Sequence, residues 1–132
     1  MNQDAIAGIV VNQAFQLHRE IGPALLESVY EVLLADALRG AGLDVARQVP
    51  IPIFFRGRSI DEGFRADLVV SGLVLVELKS LSVLAPVHKK QVITYLRLSR
   101  FKLGLLINFG GEFFKGNVQR LVNGFEESTH AP

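Results

Sequence analysis

The chain predicts an α/β domain, a mixed sheet flanked by helices, with elements in the order ααβββαβ(β). Three observations lead there. Two segments with apolar residues at helical spacing come first. Three stretches rich in β-branched and aromatic residues, divided by turn residues, follow. A helical stretch then leads into the almost wholly apolar Leu103–Phe109. A strand, a helix and a further strand in succession imply a locally parallel pair within the sheet.

The first helix is expected over Asp4–Glu20, with Ile6, Ile9, Val10, Ala14 and Leu17 at helical spacing, and Gly22-Pro23 ends it. A second is expected from about Ala24 to Arg39. Leu26, Val29, Tyr30, Leu33, Leu34, Ala37 and Leu38 form its apolar stripe, and Gly40 and Gly42 stop it. Val45–Phe55 reads as a strand, and Pro50 and Pro52 place it at a sheet edge. Arg56-Gly57 is a turn. Arg58–Val70 and Leu73–Ser80 are the next strands, joined around Ser71-Gly72. Pro86 precedes a helix over Val87–Ser99. Leu103–Phe109 has the composition of a strand buried on both faces. Gly110-Gly111 turns the chain, Phe113–Val122 offers one more strand, and Asn123–Pro132 reads as a loose tail.

The bulk properties narrow the function classes. A chain of 132 residues, 49% hydrophobic and 20% charged, suits one globular domain, taken as residues 1–132. No apolar run approaches the roughly 20 residues that cross a bilayer. Met1-Asn2-Gln3-Asp4 is not a basic region leading into an apolar one, so no secretory leader is expected. The absence of cysteine excludes disulfides and thiolate zinc sites and fits a reducing cytoplasm. The net charge of +1 is not that of a polycation. A local basic cluster does exist, formed by Lys89, Lys90, Arg97, Arg100 and Lys102, and taken on its own it reads as a solvated helix face.

Charged residues intrude on the most apolar part of the middle. Leu73-Val74-Leu75-Val76-Glu77-Leu78-Lys79 is a buried strand ending in Glu-x-Lys, and Asp67 lies on the strand before it. Carboxylates and ammonium groups at the edge of a core are costly unless paired or holding a metal. Asp67 and Glu77 are a suitable pair for Mg²⁺, which takes oxygen ligands and only one or two protein carboxylates; the Leu78 carbonyl can add a third oxygen. Residues i and i+2 of a strand share a face, so Lys79 points with Glu77, where it can orient a water or stabilise charge on a phosphate. The competing account is an ordinary ion-pair set where strands reach solvent.

Strand register decides between the two. A two-residue Ser71-Gly72 turn would oppose Val70 to Leu73 and put Asp67 and Glu77 on opposite faces. The acids meet only if the loop has an odd length, such as Ser71-Gly72-Leu73, or if a bulge intervenes. One of those two is expected.

Two helices offer further groups. Glu27 sits at the margin of its helix's apolar stripe, where it can reach the metal site or simply favour the helix dipole. His88, Gln91 and Tyr95 form a polar-aromatic stripe beside Val92, Ile93 and Leu96. Gln91 and Tyr95 can bond a phosphate or steady Glu77 and Lys79; Tyr95 can equally be a core aromatic, and His88 a surface residue near the helix start. His18, His88 and His130 are too scattered for a histidine metal motif.

These residues carry a resemblance. Gly22-Pro23-Ala24-Leu25-Leu26-Glu27-Ser28-Val29-Tyr30, Phe64-Arg65-Ala66-Asp67-Leu68, Val76-Glu77-Leu78-Lys79, Gln91 through Tyr95-Leu96, and Gly104-Leu105-Leu106-Ile107-Asn108-Phe109 occur in the order found in the small bacterial GxxExxY proteins. The chain resembles that branch of the PD-(D/E)xK nuclease superfamily. The resemblance implies a restriction-endonuclease-like mixed sheet flanked by helices. It also implies that Asp67 and Glu77 are metal-binding acids, Lys79 the catalytic lysine and Glu27 the helix glutamate that often joins them. Gln91 and Tyr95 match the motif on the following helix. Two departures stand out. Ala24 takes the place of the first glycine of the naming motif, which a helix start tolerates, and Ala66 stands where the superfamily name has proline.

The expected function is Mg²⁺- or Mn²⁺-dependent hydrolysis of nucleic-acid phosphodiesters, DNA before RNA. Asp67, Glu77, Glu27 and the Leu78 carbonyl would hold the metal. Lys79 would act on water or charge, Gln91, Tyr95 and Arg65 on the phosphate, and Lys90 and Arg97 on the nucleic-acid backbone. The alternatives are a catalytically silent module of the same fold that binds nucleic acid or a protein partner, and a structural or assembly protein. A homodimer fits a nuclease that cuts both strands.

Overall fold

The computed structural model describes residues 1–123. Residues 124–132 lie outside the described residues, and with them nearly all of the expected tail. Asn123 itself is tied down. Its N–H donates to the Lys102 carbonyl at 3.0 Å and its side-chain amide to the Leu96 carbonyl at 3.0 Å.

The elements follow the sequence expectation, ααβββαβ and a last β. They are α1 (Gln3–Ile21), α2 (Glu27–Gly40), β1 (Val45–Phe55), β2 (Arg58–Val70), β3 (Val74–Lys79), α3 (Pro86–Leu98), β4 (Leu103–Asn108) and β5 (Val118–Val122). One mixed sheet runs β1-β2-β3-β4-β5, so β1, with its two prolines, does lie at an edge. Only β3 and β4 are parallel, in register Val74↔Leu103 through Lys79↔Asn108.

Side-chain alternation divides the interior into two cores. Leu68, Val70, Val74, Val76 and Leu78 face α1 and α2, where Ile6, Val10, Tyr30, Leu34 and Leu38 cover them. Leu75, Leu106 and Leu121 face the other way, onto Val92 and Leu96 of α3. Gly104 lets α3 come close: a Cβ there would lie 3.2 Å from a Val92 methyl.

Several boundaries differ from expectation. Helix α2 starts at Glu27, not Ala24, because Pro23 and Ala24 belong to a turn and Leu26 is the cap residue. Ala24 has φ 89°, in the left-handed region, so this is no helix start tolerant of alanine. Leu73 and Ser80 fall outside β3, and β5 begins at Val118, with turns filling the stretch from Phe113. Helix α3 takes Pro86 as its first residue, where a missing N–H costs nothing.

The turns explain the register. Arg56-Gly57 has φ values of 50° and 76° and joins Phe55 directly to Arg58, the geometry of a tight two-residue hairpin. The next loop is Ser71-Gly72-Leu73. Val70 opposes Val74, and the Leu73 N–H donates to the Val70 carbonyl at 3.0 Å. The odd-length alternative is therefore the one adopted.

Beyond that loop the β2–β3 ladder runs only from Val70↔Val74 to Leu68↔Val76. Ala66 then packs in the α3 core although Leu68, two residues on, packs in the opposite one. Alternation slips at Asp67. On the neighbouring strand, between the pairs Arg47↔Leu68 and Val49↔Ala66, lies Gln48, with φ 51°. Past this point the β1–β2 hairpin carries Val49, Ile51 and Phe64 onto the α3 core.

Candidate active site

The slip at Asp67 creates the site. With β2 leaving the ladder, the Leu78 N–H loses its strand partner and donates instead to Asp67 Oδ2 at 2.8 Å. The Asp67 N–H points to Glu77 Oε1 at 3.3 Å. Each acid thus sits against the other's strand, at the carboxyl end of the parallel β3–β4 pair. An extended residue opens its N–H and C=O to the same neighbour, so the Leu78 carbonyl faces the same gap.

Burial and neighbouring charge perturb both acids. Glu77 is 7% exposed, and burial first, then the Asp67 charge, push its carboxyl up from 4.5 to about 8. Asp67 is raised as well, chiefly by burial and then by Glu31, against the opposing Leu78 and Gln48 hydrogen bonds and Lys79. Glu27, the first residue of α2, is raised by burial, by Asp67 and by Glu31. The Lys79 charge pulls all three downward, yet it makes no ion pair among the described residues.

Surrounding loops are fastened to these positions. Ser80 Oγ donates to the Leu25 carbonyl at 2.6 Å, tying the end of β3 to the turn before Glu27. The Tyr30 hydroxyl donates to the Gly22 carbonyl at 2.5 Å, while its ring stacks on Phe109 at 4.5 Å. Asn108 is fully buried. Its Oδ1 accepts from the N–H groups of Leu81 and Gly110, and its Nδ2 donates to the Leu81 carbonyl and to Asn117 Oδ1. A Cβ on Gly110 would lie 2.3 Å from the Leu81 nitrogen, so only glycine permits this clamp on the loop after Lys79.

From α3, Gln91 lines an open groove of about 550 Å³ together with Lys79, Lys90, His88, Val87 and Thr94. The Tyr95 ring stacks on Phe64 at 3.8 Å. Burial, then Glu77 and Asp67, raise the Tyr95 hydroxyl pKa, and that hydroxyl has no hydrogen bond among the described residues. His88 Nδ1 accepts from the Ala85 N–H at 3.0 Å, a helix-capping role. Arg65 is exposed and paired with Glu62 at 2.7 Å, and Arg97 is exposed on the last turn of α3, outside the groove.

The sequence reading passed over three residues. Glu31 is 4% exposed, one helical turn after Glu27, and accepts from Arg47 Nε at 3.0 Å and Gln48 Nε2 at 2.6 Å. Gln48 Nε2 also reaches Asp67 Oδ1 at 3.3 Å. The signal was a carboxylate inside the apolar run Tyr30–Leu34, where burial would require a partner. Its partners are distant in sequence and could not be read.

Among the described residues no group of three or more His, Cys, Asp or Glu side chains is gathered closely enough to enclose an ion. Two converging carboxylates, both raised, with an adjacent carbonyl nevertheless suit a hard divalent cation, which needs no more protein carboxylates than that. No helix among the described residues is long and apolar enough to cross a membrane. A family model described as the PD-(D/E)XK nuclease superfamily matches residues 4–121, and the chain belongs to that superfamily. No curated protein and no solved structure matches it.

Proposed function

We propose that this superfamily member hydrolyses nucleic-acid phosphodiester bonds, DNA before RNA, with Mg²⁺ or Mn²⁺. The observation that carries the reading is the meeting of Asp67 and Glu77 across the three-residue loop, at the end of β3 where Lys79 follows. Asp67, Glu77 and the Leu78 carbonyl are the proposed metal ligands, and Glu27 adds its carboxylate from the helix side. A bound divalent ion neutralises these acids, polarises a phosphoryl oxygen and acidifies water.

The chain's own groups do the rest. Lys79 holds the attacking water or offsets charge building on the phosphate. Gln91 donates from the groove wall, and the Tyr95 hydroxyl is available for a phosphate oxygen. Lys90 and Arg97 attract the nucleic-acid backbone. Arg65 joins them only by exchanging Glu62 for a phosphate. The motif order supports placement in the GxxExxY branch, with Ala24 in place of glycine.

The test is cleavage of plasmid and single-stranded DNA with Mn²⁺ by the wild type, Glu77→Ala and Lys79→Ala. Loss of cleavage in both variants is expected, about 100-fold or more. Undiminished cleavage by both folded variants would rule out the assigned mechanism. A wild type that binds Mn²⁺ and DNA without cutting would identify a silent binding module instead.

A further inference from the structure

We propose that Gln48 is a positioning residue for Asp67, itself held by Glu31, a buried carboxylate paired with the exposed Arg47. The inference rests on Asp67 being a metal ligand. Gln48 donates from one Nε2 to Glu31 Oε1 at 2.6 Å and to Asp67 Oδ1 at 3.3 Å. Both partners are carboxylate oxygens, so the amide must present its NH₂ end to them. Arg47 anchors the far side of the bridge, with its guanidinium 2.9 Å from Glu31 Oε2.

The backbone is shaped for this contact. Gln48 holds φ 51° in the middle of a strand, a conformation that costs a non-glycine residue about 1–2 kcal/mol. It does so between the pairs Arg47↔Leu68 and Val49↔Ala66, where alternation slips. An ordinary extended residue there would turn its side chain to one face of the sheet, away from the ladder's gap. The twist aims the amide along the gap, at α2 and Asp67 together.

The consequence is a carboxylate fixed at both oxygens: Leu78 N–H holds Oδ2 and the Gln48 amide holds Oδ1. Such a group cannot swing toward Lys79 and form a closed ion pair. Its remaining lone pairs stay directed at the space shared with Glu77. Outer hydrogen-bond partners of metal ligands typically contribute about 10–100-fold in affinity.

Gln48→Gly is the decisive variant, because glycine suits the left-handed backbone while removing the amide. Mn²⁺ affinity by calorimetry and melting temperature are measured side by side, with no dependence on cleavage. The expected result is a Kd weakened about 10-fold with an equal or higher melting temperature. Glu31→Ala should weaken Mn²⁺ binding likewise, while Glu31→Gln, which keeps an acceptor for the amide, should restore it. A Gln48→Gly protein with wild-type Kd overturns the proposal, whatever its melting temperature, and leaves the metal site standing. A wild type that binds no Mn²⁺ overturns both the proposal and the functional reading beneath it.

Discussion

Replacing Glu77 by glutamine should stabilise the metal-free protein, and the gain should grow with pH. The carboxyl of Glu77 is pushed from 4.5 to about 8 by burial and by Asp67. A raised native pKa means that the folded state holds its proton longer than the unfolded chain. Stability from this group is therefore full below the unfolded value and is lost as pH rises from about 4.5 through 8. At 1.36 kcal/mol per pKa unit, the shift sets a ceiling of about 5 kcal/mol. Asp67 and its neighbours relax as charge appears, so about 2–4 kcal/mol is expected to separate mutant from wild type at about pH 9, and under 1 kcal/mol at about pH 5. Glutamine retains an oxygen for the Asp67 N–H, so the comparison isolates the charge. Urea unfolding at the two pH values measures it. A Glu77→Gln protein no more stable than wild type at the higher pH would show that the acids are not crowded as described.

Ala24→Gly should raise stability by about 0.5–1 kcal/mol in thermal melts, because φ 89° suits glycine and strains alanine; a lowered melting temperature would contradict it. Asn108→Ala should cost about 2–4 kcal/mol by stranding its buried partners, and should slow cleavage beyond what the stability loss explains, since the clamped loop follows Lys79. DNA affinity should fall steeply with salt. Lys90→Ala should flatten that slope by about one unit, and an unchanged slope in gel-shift titrations would remove Lys90 from the interface.

Much of the fold was legible because its signals are local. Helical spacing gave α1 and α3 to within a residue or two, and prolines at 50 and 52 marked the edge strand. The connection between β2 and β3 could be narrowed to an odd-length loop or a bulge, because only those bring two costly buried charges together. The start of α2 was misjudged because Ala24 looks like a helix former, whereas the turn demanded a left-handed residue. Glu31, Arg47 and Gln48 went unseen because their bond partners lie on different elements, and no spacing rule links a helix turn to a strand some 16 residues later.

The amino-acid order alone determined which charges would sit at the end of an apolar strand, since burying Glu77 and Lys79 follows from the residues around them. What it left open was direction. Only the folded chain decided that β2 leaves its ladder after Leu68, that Ala66 and Leu68 face opposite cores, and that the freed Leu78 N–H turns to Asp67. That choice is made by the packing of a twisted hairpin against α3. It is a balance of contacts between distant segments, and no local pattern encodes it.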